Sequence, residues 1–250
     1  MTQETSLKGR VALVTGSAHG LGRGMALALG RHGAHVAVHY RTRKQEAEQL
    51  ACEIRGYGVQ SGALQADLRS WQETTRLVES VQQQYRRMDL LVNNVGPFLQ
   101  KTFTEMDPAE WGEMLDGNLN TTYHACRAVW PIMKKQNYGR IINIGLANAD
   151  QVRAYHAIIP YAIAKTGVLI LSKSLAVEGA AYGITVNVLA PGLMDNGDLS
   201  PEERARLDEK IPGGRAGTAR DLIAALLFLA SDEASYITGA QIPVSGGWGL

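Results

Sequence analysis

Val11-Ala12-Leu13-Val14-Thr15-Gly16-Ser17-Ala18-His19-Gly20-Leu21-Gly22 joins a short apolar run to a glycine-rich loop, and a helical pattern follows from Arg23 to about Arg31. The apolar run suits a strand buried on both faces. A strand, a glycine turn and a helix in that order bring backbone N–H groups and a helix N-terminus together where they can hold a pyrophosphate. The glycines are spaced G-x-x-x-G-x-G, unlike the G-x-G-x-x-G of the dinucleotide fingerprint. It is therefore the strand-loop-helix context that points to a dinucleotide site. Gly16, Ser17, His19, Gly20, Leu21 and Gly22 are its first candidate contacts.

Working outward, His35-Val36-Ala37-Val38-His39 reads as a second strand leading into Tyr40-Arg41-Thr42-Arg43-Lys44. In a doubly wound sheet this strand end meets the adenosine ribose. An acidic residue there would accept bonds from a free 2′-hydroxyl and repel a phosphate. Arg41, Arg43 and Lys44 can instead pair with a 2′-phosphate, which favours NADP(H) over NAD(H). The alternative is a solvated basic loop ahead of a 46–55 helix. Tyr40 and Arg41 can also stack on adenine. A third strand over 59–65 runs into Ala66-Asp67-Leu68. The Asp67 carboxylate either meets the adenine amino group or caps the 71–85 helix, a task for which Ser70 competes.

A fourth strand over 89–93 delivers Asn94 and Gly96 to its C-terminal end. Asn94 tolerates tight turns and offers both donor and acceptor, so it either stabilises the central sheet or meets the cofactor ribose, and Gly96 admits close approach of a ligand. Residues 110–136 are helical in pattern but interrupted by Gly112, Gly117 and Pro131, with the poor helix former Asn118 between them. Asn118 is either a surface residue or has a specific polar task, holding a water that touches Lys165. Strands over 140–144 and 184–189 follow, the latter ending in Ala190-Pro191-Gly192. The 193–214 stretch is loop-like with a charged short helix near 201–210, the kind of insertion that closes over a substrate. A helix over 221–230 and a strand over 242–245 complete the chain. Alternating strands and helices, with no repeat or linker, predict one α/β domain over 1–250. It is a doubly wound, mainly parallel sheet of about seven strands flanked by helices.

The chemistry centres on Tyr161-Ala162-Ile163-Ala164-Lys165, which opens a long apolar-periodic helix. Residues four apart share a helix face, so the Tyr161 hydroxyl and the Lys165 ammonium point into one cleft. A phenol titrates near pH ~10, and a neighbouring cation lowers that value. Such a pair suits giving a proton to a carbonyl oxygen as hydride reaches its carbon, or the reverse.

Composition narrows the class. With 45% hydrophobic and 20% charged residues and a net charge of +1, the chain is an ordinary globular one with no field to attract nucleic acid or anionic membrane. Cys52 and Cys126 read as reduced thiols, and no metal-ligand cluster is visible. Met1–Ser6 lacks the basic and apolar regions of a leader, and no run approaches the ~18 apolar residues of a membrane span. The expectation is a cytoplasmic protein with a small-molecule substrate.

Thr15-Gly16-x-x-x-Gly20-x-Gly22, Asn93-Asn94-x-Gly96, Asn118, Tyr161-x-x-x-Lys165 and Pro191-Gly192 together resemble, in order and spacing, the short-chain dehydrogenase/reductase family, over essentially the whole chain. The resemblance implies a Rossmann-type fold, hydride transfer with NAD(P)H and a homo-oligomer, tetramer or dimer. It implies that Tyr161 is the general acid/base and that Lys165 lowers its pKa and bonds the nicotinamide ribose. Asn118 would hold a proton-relay water, and Pro191 and Gly192 would meet the cofactor. Within the family the chain looks most like the 3-oxoacyl-carrier-protein reductases, through Gly139-Arg140-Ile141-Ile142-Asn143-Ile144-Gly145 and the Gly246-Gly247 ending.

One piece departs. The family places a serine after the fifth strand, where its hydroxyl orients the substrate carbonyl. Strand register puts Leu146 there, while spacing back from Tyr161 reaches Asn148, because this loop is about two residues longer than usual. Asn148 offers an amide donor, and Tyr155 and His156 lie in the same loop. Three readings follow: an NADPH-dependent reductase of a 3-oxoacyl thioester or related ketone, a pteridine reductase resembled through His39-Tyr40-Arg41, and a cofactor-binding protein with little turnover.

Overall fold

The computed structural model describes residues 7–195, 197 and 199–249. Met1–Ser6, on which the leader expectation rests, lie outside the described residues, as do two positions of the 193–214 stretch and the last residue of the chain.

Seven parallel strands form one sheet in the order β3-β2-β1-β4-β5-β6-β7. They are β1 (Val11–Val14), β2 (His35–Tyr40), β3 (Ser61–Gln65), β4 (Leu90–Asn93), β5 (Gly139–Ile144), β6 (Ile184–Pro191) and β7 (Gln241–Val244). The order reverses between β1 and β4, the switch point at which open α/β sheets bind their ligands. The doubly wound sheet is thus as the sequence predicts, and its inner strands β1, β4, β5 and β6 are buried on both faces, while the edge strands β3 and β7 are partly exposed. Ala12 and Val14 of β1 enter one apolar layer, and Val11 and Leu13 enter the other.

Helices cover both faces: α1 (Gly20–Arg31), α2 (Lys44–Arg55), α3 (Trp71–Tyr85), α4 (Pro108–Leu115), α5 (Thr121–Gln136), α6 (Ile159–Gly179), α7 (Pro201–Asp208) and α8 (Ala219–Ala230). Ser70 takes the N-cap of α3, its hydroxyl accepting from the Glu73 N–H at 3.3 Å, which leaves the Asp67 carboxylate for other work. The 110–136 stretch differs from expectation in one respect. Gly112 and Pro131 sit within continuous helix, Pro131 on an exposed position, and the single interruption is a π-helical turn over Asp116–Asn120. Such widened turns are frequent at functional sites, and this one carries Asn118 at its centre.

Candidate active site

The glycine loop is a self-satisfied unit. Ser17 is fully buried, its hydroxyl donating to the Val14 carbonyl at 2.8 Å and its N–H to the His39 carbonyl at 3.0 Å. Asn94 ties the loop to β4: its amide donates to the Thr15 and Gly16 carbonyls at 3.0 and 3.1 Å, and its own N–H donates to the Thr15 hydroxyl at 2.9 Å. Gly20, Leu21 and Gly22 form the first turn of α1, and His19 is its N-cap residue with an exposed side chain. The first N–H groups of that turn have no acceptor within the helix, as at any helix N-terminus, where an anion can be held.

A cleft of about 300 Å³ opens beside this loop, lined among others by His19, Tyr40, Arg41, Asp67 and Leu68. Arg41 is exposed and forms no direct ion pair among the described residues, though its charge helps lower the Asp67 carboxyl, whereas Arg43 and Lys44 stand near Glu46 and Glu48 at 3.8 and 3.7 Å. Asp67 is held by Arg69, with guanidinium contacts of 2.5 to 3.1 Å that lower its carboxyl below the usual range. Leu68 is buried, and its carbonyl accepts from His124 Nδ1 at 2.9 Å.

His39 is the residue of this end that sequence reasoning missed as a contact. Its Nδ1 accepts the Gly16 N–H at 2.9 Å, and its Nε2 lies 3.0 Å from the Ala66 carbonyl, which fixes the Nε2–H tautomer. Burial pushes its pKa down to about 4, so a neutral imidazole clamps the loop to the end of β3. The only advance signal was a histidine following the apolar run Val36-Ala37-Val38.

The catalytic candidates are not among the residues lining that cleft; they gather around Gly96, between the lining residues Val95 and Pro97. Asn118 is fully buried, which removes its reading as a surface residue. Its amide nitrogen donates to the Pro97 and Met114 carbonyls at 2.9 and 3.0 Å, while its Oδ1 is buried with no partner. Gly96 lies between Asn118 and Lys165: a Cβ added to it would stand 2.2 Å from Asn118 Oδ1 and 3.3 Å from Lys165 Nζ. Lys165 is 4% exposed and spends one N–H on the Ile144 carbonyl at 2.8 Å. Its Nζ sits 5.6 Å from the centre of the Tyr161 ring. Phe98 meets that ring edge-on at 5.1 Å while remaining 61% exposed.

The electrostatics correct one expectation. In the protein alone Lys165 does not lower the Tyr161 phenol. Burial pushes Tyr161 up to about 12 and Lys165 down to about 8, because a low-dielectric site disfavours both charged forms. These residues nevertheless fit a nicotinamide cofactor. A buried lysine with donors to spare and an amide oxygen with no partner among the described residues both lie against Gly96, which has no side chain to cover them.

Leu146 occupies the strand-register position of the missing serine, 6% exposed within an apolar cluster that Tyr155, Ile158, Tyr161 and Trp248 pack against. Asn148 is 4% exposed and left-handed at φ +60°. Its Nδ2 donates to the Gly249 carbonyl at 2.9 Å, and its Oδ1 accepts the Tyr155 hydroxyl at 3.2 Å. Most of its hydrogen-bonding capacity is therefore spent within the protein, contrary to its expected use as a substrate donor. Pro191 and Gly192 close β6 beside this loop: the Pro191 carbonyl accepts from Ala147 N–H at 3.0 Å, and Gly192 N–H donates to Val244 at 3.1 Å. Among the described residues no group of three or more His, Cys, Asp or Glu could hold a metal, and no helix is long and apolar enough to cross a membrane.

Fold and site together define a nicotinamide-dependent oxidoreductase acting on a carbonyl/hydroxyl pair. The family model described as enoyl-(acyl carrier protein) reductase matches residues 16–249. A 3-oxoacyl-[acyl-carrier-protein] reductase of Pseudomonas aeruginosa is 38% identical, over 97% of this chain and 98% of its own. The enzyme of the same name from Haemophilus influenzae is 37% identical, over 96% and 98%. A solved chain from Sinorhizobium meliloti 1021, assigned as a short-chain alcohol dehydrogenase, superposes with a TM-score of 0.90 at 33% identity, covering 98% of each chain. The chain belongs to the short-chain dehydrogenase/reductase family.

Proposed function

We propose that the chain is an NADPH-dependent reductase of a ketone, either a 3-oxoacyl thioester or a related compound, with Tyr161 as the proton donor. The observation that carries this reading is the buried Asn118 Oδ1, which has no partner among the described residues and packs against Gly96, where Lys165 Nζ also comes close. Two polar groups buried towards one point imply a water or hydroxyl between them, and so a path by which a proton lost from Tyr161 is replaced. A bound NADPH supplies the hydride. Tyr161, raised to about 12, is fully protonated at neutral pH, the state a proton donor to a nascent alkoxide must have.

The cofactor choice rests on Arg41. It lines the cleft with no direct ion pair among the described residues, and the residue closing β2 is Tyr40 rather than a carboxylate; Asp67 on the same cleft is already held by Arg69. Arg41→Ala is expected to weaken NADPH binding about tenfold or more and leave NADH binding within about twofold. Titration of cofactor fluorescence reads both, and equal losses for the two cofactors would remove Arg41 from this role.

The direct test of substrate is NADPH oxidation against a 3-oxoacyl thioester, a simple diketone and a dihydropterin. The relatives' printed activity supports the first. The dihydropterin is on the panel because Leu146 leaves no hydroxyl at the serine position. His39 gives that arm no further support, since its imidazole is turned inward. Self-association as a dimer or tetramer is supported by α6, whose Ile163, Ile170 and Val177 are 48%, 62% and 82% exposed and repeat every seven residues along one face.

A further inference from the structure

The segment after β7 reaches back into the substrate side of the site. Trp248 packs on the cluster of Leu146, Ala149 and Ala162, where Tyr155, Ile158 and Tyr161 also lean. The next residue, Gly249, accepts the Asn148 amide at 2.9 Å. Gly249 has φ +83°, and a Cβ on it would stand 1.8 Å from Asn148 Nδ2, so the contact is closed around a glycine. On its other side Asn148 takes the Tyr155 hydroxyl, and the Arg153 guanidinium stands 5.0 Å from the centre of the Tyr155 ring. One buried side chain thus joins two segments 101 residues apart, next to the catalytic tyrosine.

We propose that Asn148 is a positioning residue that staples Trp248 and Gly249 onto the loop after β5, making Trp248 a wall of the substrate pocket that sets the size of ketone accepted. The inference rests on the carbonyl-reductase reading above. In this arrangement the amide does not touch the reacting oxygen. It holds the indole in place, and Leu146 completes the apolar surface where relatives of the family carry a hydroxyl. The pocket wall then belongs to a segment far downstream of the loop that carries the rest of the site.

The two roles for Asn148 give different kinetics. Asn148→Gly keeps the left-handed backbone and removes the amide. Asn148→Asp keeps the acceptor for Tyr155 but cannot donate to Gly249. Both, together with Gly249→Ala and Trp248→Ala, are compared with the parent protein on ketones of increasing size. A staple predicts that all four raise KM and change the preference between the smallest and largest ketone by about tenfold or more, with kcat for the smallest within about threefold. NADPH affinity stays unchanged, and the double variant Asn148→Gly/Gly249→Ala is no worse than the worse single one. A direct donor predicts that Asn148→Gly lowers kcat about 10²–10³-fold for every ketone while Gly249→Ala does little, which would overturn the proposal. Independent, multiplying losses in the double variant would overturn it as well. Hydrogen–deuterium exchange of free protein reads the staple without turnover: Asn148→Gly should deprotect the peptides over 145–158 and 241–249 together. If the parent protein reduces no ketone, the functional reading falls, and unchanged protection in that variant would overturn the staple separately.

Discussion

Lys165 shows how function and stability oppose each other at a single residue. It is 4% exposed, has one hydrogen bond, to the Ile144 carbonyl, and burial brings its pKa down from 10.5 to about 8. Below about pH 8 the folded protein carries a charge that the unfolded chain would rather keep in water, at a cost of at most about 3 kcal/mol. As pH rises from about 8 to 10.5 the folded state has released this proton while the unfolded state still binds it, so this group's contribution to stability rises across that window. Lys165→Met is therefore expected to raise stability at pH 7 by about 1–3 kcal/mol while abolishing turnover. The advantage over the parent protein should shrink as pH climbs through that window, as followed by urea denaturation at several pH values. A variant less stable than the parent at pH 7 would mean that the lost bond to Ile144 outweighs the burial of the charge.

The catalytic geometry depends on two elements meeting with no room to spare: the turn after β4 and the π turn between α4 and α5. Gly96 in the first faces Asn118 in the second, so Gly96→Ala would drive a Cβ into Asn118 Oδ1 from 2.2 Å. The backbone must shift, and the shift moves Lys165 as well. The expected outcome is a loss of about 2 kcal/mol or more in stability and at least 10²-fold in kcat, with chemical denaturation and steady-state rates as the readouts. Unaltered kcat would mean that the two turns are not coupled to the chemistry. The sequence made the local parts of this geometry readable. The strand-loop-helix at Val11–Arg31 and the i, i+4 pair Tyr161 and Lys165 are set by short-range periodicity, and Asn118 stood out as a polar residue misplaced in a helix. What was hidden is set by tertiary packing. The π turn follows from the fit of Asn118 against Pro97, and the inward His39 from the approach of Gly16 and Ala66. Asn148 was read as a substrate donor from its spacing to Tyr161, but its partner Gly249 lies too far along the chain for any spacing argument to find. The opposed shifts of Tyr161 and Lys165 likewise depend on depth of burial, which an i, i+4 rule does not contain.

For the molecule as a whole, the two ends of the sheet are differently equipped. The C-terminal ends of the strands carry the cleft, the glycine loop and the catalytic helix. The opposite end is locked by ion pairs, with buried Asp89 held by Arg87 at 2.6 Å and Arg10 bridging towards Asp232 at 2.9 Å. That division lets one end stay open to ligands while the other holds the layers in register. The outer face of α6 is what this arrangement leaves uncovered. Ile170→Glu and Val177→Glu would each place a charge on its apolar stripe, and the expected result is dissociation to a smaller species in sedimentation velocity, with the fold intact by circular dichroism. An unchanged sedimentation coefficient in both variants would assign self-association to another face.

The most direct test of the central claim compares NADPH oxidation by the parent protein and by Tyr161→Phe across the ketone panel, with NADPH affinity measured for both. The account predicts that the phenylalanine variant binds NADPH as the parent does and loses turnover by about 10²–10⁴-fold on every substrate the parent reduces. Undiminished turnover in that variant would contradict it, because the proton would then come from a group other than the phenol beside Lys165.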